Sequence, residues 1–155
     1  MSFNWPKSGN NHVPSYQISG IPFVTSSVVN EAPSKGADSY AKVAFPFVTR
    51  FFVVKCPTTV GGVATADNLR VAFSANGLIE PTGSYSASGN NRNYFIVMEG
   101  KETPRFEMRC KELFFCGDGI QGTGKSSFEV IAGLTTIESS QFFGLTGSNG
   151  FEGVG

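Results

Sequence analysis

Charge is the first thing this sequence has little of. Lys, Arg, Asp and Glu make up 15% of the chain, 12 basic against 12 acidic, for a formal net charge of zero. A globular domain ordinarily carries about 25%. So low a content excludes a coiled coil, a long helical bundle and a disordered acidic chain. The balance excludes a basic nucleic-acid binder, because no surplus of cations is there to neutralise phosphates. Histidine is scarcer still, with His12 alone. A Ser-His-Asp device or a histidine metal site therefore has no second candidate. Three cysteines, Cys56, Cys110 and Cys116, are too few and too odd in number for a disulfide framework, and they point to a reducing compartment during folding. No apolar run approaches the roughly 18 residues of a membrane-spanning helix, so no membrane insertion is expected. The opening Met1–Lys7 lacks a basic region followed by an apolar run and does not read as a secretory signal. No Asn-x-Ser/Thr acceptor occurs either.

What the chain does have is apolar bulk and backbone punctuation. Its 155 residues include 15 Phe, 19 Gly and 8 Pro, and 40% are hydrophobic. That is one domain, long enough to bury about 68–70% of its unfolded surface. A neutral, weakly charged exterior keeps a protein poorly soluble alone, which suggests that a partner covers part of it.

Residues 1–38 read as an extended arm. Pro6, Pro14, Pro22 and Pro33 are spread too widely for a helix to run between them. His12–Ile18 and Ile21–Thr25 are short and extended, and Phe3, Trp5, Phe23 and Val24 give the arm anchors that a plain linker lacks. From Ser39 the pattern becomes β. Val43–Val48 is an apolar run holding Pro46, so it is an edge, bulged or broken strand. Arg50–Cys56 and Asn68–Ala75 follow, the second alternating Leu69, Val71 and Phe73 with smaller or polar residues. Asn76-Gly77 supplies a turn. Pro81–Asn93 is a surface loop, and Tyr94–Met98 a buried strand. Arg105–Lys111 alternates most clearly, with Phe106, Met108 and Cys110 on a dry face and Arg105, Glu107, Arg109 and Lys111 on a wet one. Ser127–Ile137 fits a helix face nearly as well as a strand. Gly133, Thr135-Thr136 and the β-branched content favour the strand.

These elements predict an all-β chain: an antiparallel two-sheet sandwich of seven or eight strands, a single jelly roll over 39–138, with the arm before it and a Gly-rich tail over 139–155.

One motif points elsewhere. Gly119–Ser126 (GIQGTGKS) matches the phosphate-loop pattern letter for letter. Such a loop must open a helix whose N-terminus faces the phosphates, within a parallel α/β sheet. The following sequence is the least helical kind, and no later apolar strand ends in the Asp that holds magnesium. The segment reads as a glycine-rich hairpin loop, and no cofactor is expected. The carboxylate pairs Glu99/Glu102 and Glu107/Glu112 read as surface charge. Cys110 reads as a small buried hydrophobe.

Three stretches carry a family resemblance: Val13–Ser27 (VPSYQISGIPFVTSS), Phe45–Arg50 (FPFVTR) and Leu145–Gly155 (LTGSNGFEGVG). Together they resemble the single jelly-roll minor capsid and penton (vertex) proteins of large icosahedral double-stranded DNA viruses of algae and protists. The resemblance implies an eight-stranded sandwich, a homopentamer, contact with neighbouring major and minor capsid proteins, and a place in the virion, assembled in the host cytoplasm. It implies no enzyme. On that reading Phe3, Trp5, Phe23, Phe142, Phe143 and Phe151 are intersubunit or arm-docking anchors, unless they fold back on their own domain. The alternative is a carbohydrate-binding or adhesive sandwich using Tyr85 and Arg92 at the tip of the 81–93 loop.

Overall fold

The computed structural model describes residues 20–30, 40–60, 63–64, 68–78, 93–118 and 125–143. In chain order the strands are β1 (Ile21–Asn30), β2 (Ala41–Ala44), β3 (Phe47–Cys56), β4 (Thr59–Val60), β5 (Val63–Ala64), β6 (Leu69–Ala72), β7 (Tyr94–Val97), β8 (Lys101–Glu102), β9 (Glu112–Gly117) and β10 (Lys125–Glu138). Two single turns of 3-10 helix, Asn76–Leu78 and Ser139–Gln141, are the helical content of the described residues.

One four-stranded sheet has the order β1-β10-β3-β8, the other β2-β9-β6-β7, and β4-β5 stand apart as a small hairpin. With that hairpin set aside, the pairing is nested. β1 pairs with β10, β2 with β9, β3 with β8 and β6 with β7, all antiparallel. A long antiparallel ribbon rolled so that its strands fall alternately into two sheets gives this order, which is that of a single jelly roll.

The core lies between the sheets. Period-two alternation turns Phe128, Val130, Ala132 and Leu134 of β10 inward, opposite Leu113 and Phe115 of β9 and Leu69 and Val71 of β6. Phe115 and Phe128 stack across the sandwich with ring centroids 4.2 Å apart. Phe52, Phe73, Phe95 and Phe106 form a second aromatic group, with centroids 5.2–6.5 Å apart. Each fully buried Phe contributes about 2–3 kcal/mol of transfer free energy. β10 is a strand because both of its edges are paired, to β1 and to β3. A helix would have left those ladders unmade.

Pro46 breaks the apolar run where the chain leaves one sheet for the other, between Ala44 and Phe47. Residues 103–111 make the return crossing beside it. Thr103 N–H donates to the Val54 carbonyl, Phe52 and Phe106 exchange backbone bonds of 3.0 and 2.9 Å, and Phe45 N–H donates to the Lys111 carbonyl at 2.8 Å.

Two expectations are corrected here. Arg105–Lys111 is not a strand but an extended crossing segment with one β-bridge, Phe52 to Phe106. Its alternation holds at Cys110, which is buried, and fails at Met108, which is exposed. β3 keeps its ladder with β8 only as far as Pro104, which has no N–H to donate: Lys55 faces Glu102, but Phe52 faces Phe106 rather than Arg105. The register of β3 with β10 passes from Phe51↔Gly133 to Thr49↔Leu134, which leaves Arg50 as the extra residue and bends the strand. The second correction concerns the arm. Its residues Ile21–Asn30 are a full-length strand of the first sheet, with Phe23 packed on the core and Val29 buried. Pro22 did not prevent this, because β1 is an edge strand and Pro22 is only its second residue. At the other end, Ser139 stays docked to the sandwich, with its hydroxyl donating to the Phe45 carbonyl at 2.6 Å.

Candidate assembly surfaces

The outer face of the second sheet is closed by its own side chains. Ala72, Leu78, Phe114 and Cys116 form a small cluster there, with Tyr40, Ala75 and Tyr94 packed against it. Arg70 of β6 meets Asp118, just past β9, at 2.5 Å (Nε to Oδ1), and its guanidinium lies 4.6 Å from the Tyr94 ring centroid. Burial is the largest influence on the Arg70 charge and works against it, but the hydrogen bond that Arg70 donates to Asp118 and the nearby Tyr94, Asp118 and Cys116 groups together outweigh it, and its pKa is raised. Lys42 pairs with Glu112 at 2.6 Å and lies 5.5 Å over the Phe114 ring. Both cations are matched by neighbouring carboxylates and rings.

The outer face of the first sheet is different. A row of β-branched residues, Val24, Ile131 and Val53, crosses β1, β10 and β3 in register. Val24 is 71% exposed. Beside it runs a polar row of Ser26, Glu129 and Lys55, closed by the Lys55–Glu102 ion pair at 3.2 Å. On the far side the Arg105 guanidinium covers Phe51 at 3.8 Å.

The sheet edges are unequal. β2 and β7 have four residues each and β8 has two, whereas β1 has ten. Short edges offer little to an incoming strand, and a long one offers a template.

Reactive chemistry is thin among the described residues. An open cavity of about 370 Å³ where β3 pairs with β8 is lined by Lys55, Cys56, Lys101, Glu102 and Glu129, among others. Burial, then the nearby Glu99 charge, pushes the Cys56 thiol up to about 11, so it is a poor nucleophile at neutral pH. Burial likewise pushes Cys110 to about 12 and Cys116 to about 11. No three His, Cys, Asp or Glu side chains converge on a metal-sized site among the described residues. No described helix is long and apolar enough to cross a membrane. Of the phosphate-loop match, positions 119–124 lie outside the described residues. Lys125 and Ser126 open a 14-residue strand rather than a helix, and Ser126 is buried, donating to the Asn68 carbonyl at 2.8 Å.

The expected anchors divide. Phe23 packs edge-on against Phe45 at 5.1 Å, within its own domain. Phe142 and Phe143 stack on each other at 4.6 Å, and Phe143 remains 52% exposed. Phe3, Trp5, Phe151, Tyr85 and Arg92 lie outside the described residues. Sequence reasoning does not single out the β1 edge: Val24–Val29, uncharged and mostly β-branched or hydroxylated, signals a strand but not a free edge.

The chain matches no protein family model and no curated protein. Among solved structures, a chain from work titled "Bacillus endospore appendages form a novel family of disulfide-linked pili" aligns at 12% identity. The alignment covers 76% of this chain and 95% of that one, with a TM-score of 0.28. So low a score does not establish a shared fold, and the pilin's role stays with the pilin.

Proposed function

We propose that this chain is a structural virion protein: a single jelly-roll subunit that assembles as a homopentamer at the vertices of an icosahedral capsid, beside neighbouring major and minor capsid proteins. The observation that carries this reading is the nested strand order of the two sheets. It makes a rigid block whose ends, edges and outer faces remain for contacts, and it agrees with the resemblance carried by Val13–Ser27, Phe45–Arg50 and Leu145–Gly155. Internally matched charges and buried, poorly nucleophilic thiols suit a part whose work is contact rather than chemistry. A fold alone does not fix a function, so the role has to be tested on the assembly. Native mass spectrometry of the purified full chain is expected to show a species at five times the 16.5 kDa monomer mass. A chain that stays monomeric at high micromolar concentration overturns the reading. Sugar affinity lost on Tyr85→Ala would then favour the carbohydrate-binding or adhesive alternative.

A further inference from the structure

We propose that the free edge of β1 joins a second copy of this chain, antiparallel, about a two-fold axis passing through Ser26. The inference goes beyond the capsid reading and does not depend on it.

The first support is the character of the edge. Among the described residues β1 pairs only with β10, and its other side carries no ladder to any of them. Natural edges of this length are usually blunted by lysine, inward charge, a bulge or proline. Ile21–Asn30 (IPFVTSSVVN) contains no charged residue, and its register with β10 runs unbroken over all ten positions. Pro22 guards one end only.

The second support is the symmetry of the sequence about Ser26. Val24 and Val28 are exposed at 71% and 38%, both on the outer face. They stand two residues to either side of Ser26. In an antiparallel pair, directly opposite residues share a face. A register with Ser26 facing its own copy sets Val24 opposite the partner's Val28, and Val28 opposite the partner's Val24. On the inner face the same register sets Phe23 opposite the partner's Val29 and Thr25 opposite the partner's Ser27. Apolar meets apolar, and hydroxyl meets hydroxyl, at each of these positions. Pro22 falls opposite the partner's Asn30, at the margin, where its missing N–H interrupts the ladder least.

Continuity of the apolar row is the third support. Val53, Ile131 and Val24 already run across three strands. The pairing carries that row on to the partner's Val28 and fuses the two four-stranded sheets into one of eight. A charged peptide has no counter-charge on β1 to read, and an unrelated strand would not account for the symmetry. A second copy accounts for both.

Cysteine scanning of the full chain tests this directly. The three native thiols are buried and leave no exposed competitor among the described residues. Opposed residues in an antiparallel pair have Cα atoms about 4.5–5.5 Å apart, within disulfide reach. Under mild oxidation Ser26→Cys is expected to form a covalent dimer about tenfold faster than Val24→Cys, whose copies would lie roughly 13 Å apart in this register. Mixing Val24→Cys with Val28→Cys should give the crossed dimer. Failure of Ser26→Cys to bridge, or equal rates for Ser26→Cys and Val24→Cys, overturns the pairing. A five-fold species without the Ser26→Cys bridge sinks this inference alone. The bridge without any five-fold species sinks the capsid reading alone.

Discussion

Thr49 does with one hydroxyl what a strand ladder would do with two backbone groups. Its Oγ1 accepts the Cys110 N–H at 2.9 Å and donates to the Met108 carbonyl at 2.9 Å, at the corner where the bulged strand no longer matches its neighbour. Thr49→Val keeps the shape but leaves a buried donor and an acceptor unmade. Urea unfolding is expected to show a loss of about 1–3 kcal/mol, largely restored by Thr49→Ser. The three thiols act at the same scale. All have pKa values raised above 9.0, to about 11 or 12, chiefly because burial disfavours the thiolate. Below pH 9 both folded and unfolded chains hold neutral thiols, and this contribution to stability is intact. Above it the unfolded chain ionises first, so stability drains as pH climbs toward 11–12. Urea midpoints should fall between pH 8 and pH 10, and replacing the three cysteines by alanine should flatten that part of the slope.

At the scale of the element, the turn joining β7 to β8 rests on Gly100, which holds φ at +71° while its N–H donates to the Cys56 carbonyl at 2.7 Å. A Cβ there would touch only the Thr58 methyl at 3.4 Å, so the cost of Gly100→Ala is conformational rather than steric. Thermal unfolding should report a loss of about 1–2 kcal/mol. That turn was legible in the sequence as Glu99–Glu102, and so were β6, β7 and β10, because alternation and turn residues are local signals. The failures share a cause. Arg105–Lys111 alternates as a strand does, yet whether a ladder forms depends on its register against Phe52, more than fifty positions away in the chain. Residues 21–30 looked like an arm because prolines surround them, and only the free side of β10 makes them a strand. Of the candidate surfaces, Phe142 and Phe143 could be singled out as aromatics. The β1 edge could not, since an edge exists only once the sheet does.

At the scale of the whole molecule, the Phe142–Phe143 stack sits beside the corner that Ser139 and Lys111 hold together, with Phe143 left half exposed. Replacing Phe143 by alanine removes little from the folded monomer, because that ring is already half in solvent. If it is an assembly anchor, the variant should keep its melting temperature while native mass spectrometry shows the oligomer weakened. An unchanged oligomer would return Phe143 to the ordinary exposed surface.

The pairing of β1 with β10 has a consequence for how the chain comes off the ribosome. The earliest described strand finds its hydrogen-bond partner in the last, roughly a hundred residues downstream. Contacts so distant in sequence make folding slow, and synthesis from the N-terminus cannot complete the first sheet until β10 has emerged. Within the two four-stranded sheets the β6–β7 pair has the shortest loop to close, and it can form while the remainder is still being made. A nascent chain halted before Lys125 should therefore be digested readily by protease, and one extended past Glu138 should abruptly resist it.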